Sequence, residues 1–239
     1  MTPPQDEAGV RAGDDIIADE VRAADEIAGR AALVREATRA QHRDAESRRF
    51  ITALMGGELS LADYTTYLAQ LAYVYRALES RTPRPDDPAI VVDPRLPRFA
   101  AIVSDLAALG VSDFEAEHPA LPATQEYVDR LHEIAGELPR YVAHHYTRYL
   151  GDLSGGLAIA KLVARHYGAT QEQLGFYSFE GIDSPVTFKR AYREGLDELP
   201  FDAADDEAFV DEARRAFALN AAIFEALQEV TQHAPVPAA

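Results

Sequence analysis

The sequence predicts an all-α protein folded as one domain, and three observations lead there. Apolar residues recur at spacings of three and four in most segments of the chain. Strict alternation, the mark of a half-buried strand, is almost absent, and no segment repeats. Helix start and stop residues separate the apolar stripes at ordinary helix lengths.

The elements follow in chain order. The first 30 residues carry eight acids and three arginines. Positions 1–29 are read as an acidic extension, either disordered or loosely helical, since Ile16, Ile17, Val21 and Ile27 keep some helical spacing. The domain is read as 30–233, with 234–239 a short tail. A helical pattern starts near Ala31 and runs through His42. Ser60 with Asp63 has the spacing of a capping box ahead of a long amphipathic helix carrying Tyr64, Tyr67, Leu68, Leu71, Tyr75 and Leu78. Five prolines between Pro83 and Pro97 make the next stretch a loop. Phe99 to Leu109 is helical and Gly110 stops it. Thr124 is expected to cap a helix ending near Gly136. A long segment with Pro139 near its start continues to His166, with Gly168 beyond its end. Ser184-Pro185 is a start signal, a cap followed by proline in the first turn. The last helix is expected from about Asp205 to Gln232.

Composition narrows the function. Of 239 residues 47% are hydrophobic, enough for a sizeable core, and the formal net charge is −17. Nucleic acid and anionic lipid repel such a chain, so neither is an expected partner. No apolar run reaches the roughly 18 residues a membrane span needs. No signal-peptide core precedes the domain, so a cytoplasmic location is expected. The absence of cysteine excludes disulfides, thiolate metal sites and iron–sulfur clusters held by this chain, leaving His, carboxylate or Tyr to hold any transition metal. One local run is basic: Arg35, Arg39, Arg43, Arg48 and Arg49. It reads either as a solvated helix face or as a place for an anionic ligand or partner.

Three groups of residues could carry chemistry. The hexapeptide Gly151-Asp152-Leu153-Ser154-Gly155-Gly156 is expected to break a helix. Each interior glycine costs about 1 kcal/mol against alanine. Gly151 and Gly155, at i and i+4, strip one face so that the backbone can approach a flat object; a close helix crossing would use the same spacing. Arg35, Arg39, His42 and Glu46 fall at steps of four, three and four on one face of one helix. A histidine there can bind a metal through one ring nitrogen while Glu46 fixes the other, or it can be an ordinary surface residue. Lys189 and Arg193, also at i and i+4, are either solvated cations or a pair sharing an anion. Glu115 and His118 form one Glu-x-x-His element of the di-iron bundle type, which needs two. His144 and His145 point about 100° apart on a helix and cannot easily share a metal, so they are read as packing or hydrogen-bonding residues.

These segments together resemble the heme oxygenase family. YTRYLGDLSGG at Tyr146–Gly156, with VAHH at Val142–His145 before it, resembles the distal-helix motif. LVREATRAQHRDAES at Leu33–Ser47 resembles the proximal helix. TFKRAYR at Thr187–Arg193 resembles the propionate-clamp helix, and AFALNAAIFEALQE at Ala216–Glu229 the last core helix. The similarity runs in order over residues 31–232.

The resemblance implies a single helical bundle with heme b between a proximal helix and a glycine-kinked distal helix. It implies His42 as the axial iron ligand, oriented by Glu46, with Thr38 and Arg39 near the heme face or edge. Arg35, Tyr146, Lys189 and Arg193 would hold the propionates. Gly151 and Gly155 would lay bare backbone over the distal face, with Ser154 and Gly156 beside them. Asp152 would hold the distal water network, fed from Arg148, Tyr75 and Asn220. Phe217 and Phe224 would pack near the macrocycle. The implied reaction takes heme, O2 and reducing equivalents to biliverdin, ferrous iron and carbon monoxide, so heme is cofactor and substrate at once. A redox partner of flavin reductase or ferredoxin type would dock on a basic patch of Arg35, Arg39, Arg43, Lys189 and Arg190. Arginine at 35 and 39, where members often have lysine, leaves the cleaved meso position open. The membrane anchor of some members has no counterpart in the APVPAA end. The competing reading is a non-enzymatic heme carrier or sensor, which would keep His42 and the clamps without needing Asp152.

Overall fold

The computed structural model describes residues 29–232, so the acidic extension over 1–28 and the tail lie outside the described residues. Those described are all helical or irregular, with no strand among them. The ten α-helices are α1 (Arg30–Ala37), α2 (Arg39–Glu46), α3 (Arg49–Gly56), α4 (Leu61–Glu79), α5 (Phe99–Ala108), α6 (Phe114–Glu117), α7 (Pro122–Ile134), α8 (Leu138–Tyr167), α9 (Pro185–Asp197) and α10 (Ala203–Gln232). Two 3₁₀ turns, Gln171–Gln173 and Gly175–Tyr177, join α8 to the loop before α9.

Local chemistry explains the boundaries. The capping box is present: Ser60 Oγ accepts from Asp63 N and the Asp63 carboxylate accepts from Ser60 N. Gly168 ends α8 at φ 70°, a left-handed conformation that suits glycine. Ser184 caps α9 by accepting from Thr187 N. The proline-rich stretch between α4 and α5 is irregular as expected, and the Glu79 carboxylate accepts from Arg98 N and Phe99 N to start α5.

Four expectations are corrected. The segment from Ala31 is two helices, because Thr38 turns out of helical geometry at φ −108°, ψ 3°. Thr124 caps nothing: α7 starts at Pro122, and the buried Thr124 hydroxyl donates to Gln70 Oε1 at 2.8 Å. The glycine hexapeptide does not break its helix, since α8 runs unbroken for 30 residues. Packing against α10, α4 and α3 offsets the low propensity of its glycines. Finally α3, which gave no start signal of its own, is a helix ended by Gly57 at φ 77°.

The main core joins α3, α4, α7, α8 and α10 around Phe50, Tyr64, Leu68, Leu71, Tyr75, Tyr127 and Ile223. A smaller one joins α1 to α8, α9 and α10 through Val34, Val142, Leu196 and Phe209. Arg30 fastens α1 at this end, donating to Leu196 O at 2.6 Å and Asp206 Oδ1 at 2.5 Å. The long α10 packs along α8 and also supports α1, α2, α3 and α7. The helix of His42 and the helix of the glycine segment therefore rest on one common support.

Candidate active site

His42 lies on the exposed side of α2, with 54% of its side chain accessible. Nδ1 stands 3.1 Å from Glu46 Oε2, so Glu46 can take the Nδ1 proton and leave Nε2 as the ligating nitrogen. The ring is also held edge-on by Phe217 of α10, centroids 5.5 Å apart. Thr38 is buried, its hydroxyl donating back to Val34 O at 2.7 Å. Arg39 is exposed and donates to Glu36.

The glycines of α8 divide by surroundings. A Cβ added at Gly151 or at Gly155 would meet nothing within 4 Å. At Gly156 it would stand 3.1 Å from Tyr177 Cδ1. Gly151 and Gly155 thus present bare helix to open space, while Gly156 serves the close crossing that the spacing also allowed. Asp152, between the two open glycines, accepts from the Tyr75 hydroxyl. Arg148 Nε donates to Tyr75 Oη at 3.3 Å and its NH1 to Asn220 Oδ1 at 2.7 Å. One polar chain therefore links α8, α4 and α10. Burial pushes the Asp152 carboxyl up to about 6, with Arg148 and the Tyr75 hydrogen bond opposing. Burial works against the charge of Arg148, yet Tyr75 and Asp152 hold its pKa well above the ordinary value.

The residues expected to hold anions fall into two contacts. Lys189 is only 5% exposed, and its Nζ donates to Ser154 Oγ at 3.1 Å. Burial raises the Tyr146 hydroxyl, while the nearby charges of Arg193 and Arg35 oppose that shift. Ser154 and Lys189 form one contact, and Tyr146, Arg193 and Arg35 lie close enough to act on one another. Lys189 is consequently no part of an exposed docking patch, whereas Arg35, Arg39, Arg43 and Arg190 are exposed.

His144, His145 and His118 have partners of their own. His144 Nε2 meets Glu212 Oε1 at 3.0 Å and its Nδ1 meets Tyr127 Oη at 3.2 Å. His145 Nδ1 bonds Tyr192 Oη at 2.7 Å, and burial lowers its pKa to about 3. Both are core hydrogen-bonding residues. The di-iron alternative fails: Glu115 pairs with Arg76 and His118 with Thr66. Among the described residues no cluster of three or more His, Asp or Glu could hold a metal ion. Residues that sequence reasoning passed over are the tyrosines around the polar chain. Burial raises Tyr67 to about 12, with Arg148 opposing, and the interaction with Arg148 places Tyr67 at its edge. Its position in an apolar stripe marked it only as core.

These features fit heme. The open glycine face offers room for a flat ring, an exposed imidazole is braced by a carboxylate, and Lys189, Arg193 and Arg35 supply cations able to hold carboxylates. Comparison with known proteins agrees. The heme oxygenase family model matches residues 29–226. Heme oxygenase 1 of Gallus gallus is 38% identical over 205 residues, covering 83% of this chain and 69% of that protein. Heme oxygenase 1 of Synechocystis is 35% identical over 202 residues, covering 83% and 84%. The solved Synechocystis heme oxygenase-1 in complex with heme superposes with a TM-score of 0.80 at 34% identity, covering 86% of this chain and 95% of that one. The structure of heme oxygenase from Leptospira interrogans gives 0.77 at 34%, covering 82% and 98%. With the matched segments in the same order along the chain, and the fold shared with solved members, this protein belongs to the heme oxygenase family.

Proposed function

We propose that this chain binds heme b between α2 and α8 and cleaves it at a meso carbon, using O2 and reducing equivalents, to biliverdin, Fe2+ and carbon monoxide. The observation that carries this reading is Asp152 set between two glycines with open space above them and tied to Tyr75, Arg148 and Asn220. Bound heme supplies both the iron that activates oxygen and the carbon that is oxidised. The protein supplies position and protons. His42 binds through Nε2, and Glu46 fixes its ring orientation. Lys189, Arg193, Arg35 and Tyr146 hold the propionates and so fix rotation of the ring, with Ser154 holding the Lys189 ammonium in place. Gly151 and Gly155 keep the distal face free of side chains. Asp152, with a pKa near neutrality, holds a proton at its carboxyl and passes it to water above the helix. Phe217 steadies the His42 ring. Thr38 and Arg39 flank it from the α1–α2 junction, and Gly156 sets the depth of α8 through Tyr177. A heme carrier would have no use for a carboxyl bonded by Tyr75, which Arg148 in turn holds.

Reducing equivalents come from an acidic donor of flavin reductase or ferredoxin type. It docks on the exposed arginines Arg35, Arg39, Arg43 and Arg190, whose positive charge stands out on a chain of net charge −17. No helix among the described residues is long and apolar enough to cross a membrane.

The test is direct. Hemin added to the purified protein should give a Soret band, and ascorbate or a reductase with oxygen should bleach it as biliverdin appears. A Soret band that persists under reduction and oxygen, without biliverdin, would leave only the carrier. His42→Ala should abolish the axial-ligand spectrum; an unchanged spectrum would remove His42 from the iron.

A further inference from the structure

Asp105 of α5 is a buried carboxylate outside the distal network, only 1% exposed. It faces the second 3₁₀ turn, Gly175–Tyr177. Oδ1 accepts from Gly175 N at 2.9 Å and Oδ2 from Phe176 N at 2.7 Å. Burial raises this carboxyl to about 6, and the two N–H groups oppose that shift. Bonds to an ionised acceptor are stronger than neutral ones, so the turn is held firmly. A Cβ at position 175 would stand 2.9 Å from Oδ1, so glycine is what lets the carboxylate come this close.

The turn that Asp105 holds bears on the distal site. The Phe176 ring packs edge-on against Tyr75, with centroids 5.4 Å apart and planes at 72°. Tyr75 in turn donates to Asp152. Tyr177, next in the turn, lies against Gly156 of α8. The ring of Tyr149 also meets Tyr75, at 6.0 Å, and its hydroxyl donates to Glu79 Oε1 at 3.0 Å. Both rings are thus themselves held by a carboxylate: Tyr149 by Glu79 at its hydroxyl, Phe176 by Asp105 at its backbone. Two torsions decide where the Tyr75 hydroxyl points, and packed ring edges fix them. A hydrogen bond weakens steeply when its donor swings out of line, so the Tyr75–Asp152 bond depends on that packing.

We propose that Asp105 is a positioning residue for the distal site: by fixing the Gly175–Tyr177 turn on α5 it holds the Phe176 ring against Tyr75, and so keeps the Tyr75 hydroxyl on Asp152. It acts on Asp152 through Phe176 and Tyr75. Its bearing on turnover rests on the heme oxygenase reading; the coupling to Asp152 does not.

Carboxyl NMR titration of the apo-protein tests the coupling. Asp105→Asn keeps the side-chain shape and one acceptor, but turns an amide NH2 toward one of the two N–H groups. The Tyr75 bond lowers the Asp152 midpoint, so slackening that bond should raise the midpoint by a few tenths of a pH unit or more. Loss of the Asp105 charge alone would push the midpoint the other way, because a neighbouring anion raises a carboxyl. A rise therefore reports Tyr75 and not the missing charge. Phe176→Leu removes the ring, leaves every charge in place and should raise the midpoint as well, which keeps the test available should Asp105→Asn not fold. A fixed or lowered midpoint in either folded variant overturns the proposal. With hemin added, Asp105→Asn should keep most of its affinity and form biliverdin several times more slowly. Lost affinity with unchanged turnover would make Asp105 a support of the pocket alone and overturn the proposal too. If the parent forms no biliverdin, the heme oxygenase reading fails, and the apo titration still decides the coupling.

Discussion

At the scale of single residues the site works through one displaced equilibrium. Asp152 titrates near 6 where an unhindered aspartate titrates at 3.8. Its native pKa lies above its unfolded pKa, so the folded state binds the extra proton between those values. Stability of the apo-protein should then fall as pH rises from about 4 to about 6, and this carboxyl adds no further change above that. Asp152→Asn keeps an acceptor for Tyr75 and removes the titration, so its Tm relative to the parent should be higher at pH 7 than at pH 4. Equal differences at both pH values would mean that the carboxyl is not strained by burial. Biliverdin formation by the same variant should drop by about a hundredfold, a typical contribution of a positioned proton donor. How much of this was legible in the sequence depends on the residue. His42, Glu46 and Asp152 stood out by spacing and by likeness to family segments. Tyr67 did not, because a tyrosine in an apolar stripe reads as core until its electrostatic tie to Arg148 is seen.

At the scale of elements, the three glycines of α8 should behave oppositely although they share one motif. Gly155→Ala meets open space and gains helix propensity, so the apo-protein should become more stable by up to about 1 kcal/mol. Hemin affinity should fall in the same variant, because the methyl group enters the room left for the ring. Gly156→Ala should instead destabilise the apo-protein, since Tyr177 is buried and cannot easily yield the few tenths of an ångström required. Denaturant unfolding and hemin titration on the two variants decide the matter; stabilisation in both would mean that neither glycine is there for packing. Sequence spacing placed the glycines correctly. It overstated their power to break the helix, because propensity is a local quantity and α8 is held helical through them by its neighbours. The same holds at Thr38, where the backbone leaves the helix inside an otherwise helical pattern.

At the scale of the molecule, one charged cluster ties the bundle together away from the heme site. Glu212 of α10, 1% exposed, accepts from Arg130 of α7 at 2.5 and 2.9 Å and from Arg140 of α8 at 3.0 Å, and meets His144. Burial opposes the Glu212 charge, yet its bonds to Arg130 and His144 hold the carboxyl below the usual range. Glu212→Ala removes the buried anion shared by Arg130, Arg140 and His144, leaving Arg130 only the exposed Glu133, and should cost about 3 kcal/mol in denaturant unfolding. A loss under 1 kcal/mol would show the cluster to be exchangeable with solvent. The all-α class and the single domain were legible from periodicity alone. This cluster was not, because Glu212 lies 68 to 82 positions from the residues it binds and no local pattern pairs them. Reduction by a protein donor should slow as ionic strength rises, because the exposed arginines attract it over roughly a Debye length of 8–10 Å. A rate indifferent to salt would remove the arginine patch from docking.

The support that α10 gives to both α2 and α8 bears on when the protein can first take up its ligand. During synthesis this helix emerges after His42 and the glycine segment have been made. Until Phe217, Asn220 and the turns beyond them emerge, the imidazole and the glycines have no shared backing and no fixed separation. On the proposed site, heme would be held in register only after this part of α10 has emerged. A stop codon before Phe217 should therefore abolish capture of the ligand, even where α1–α9 had been made in full.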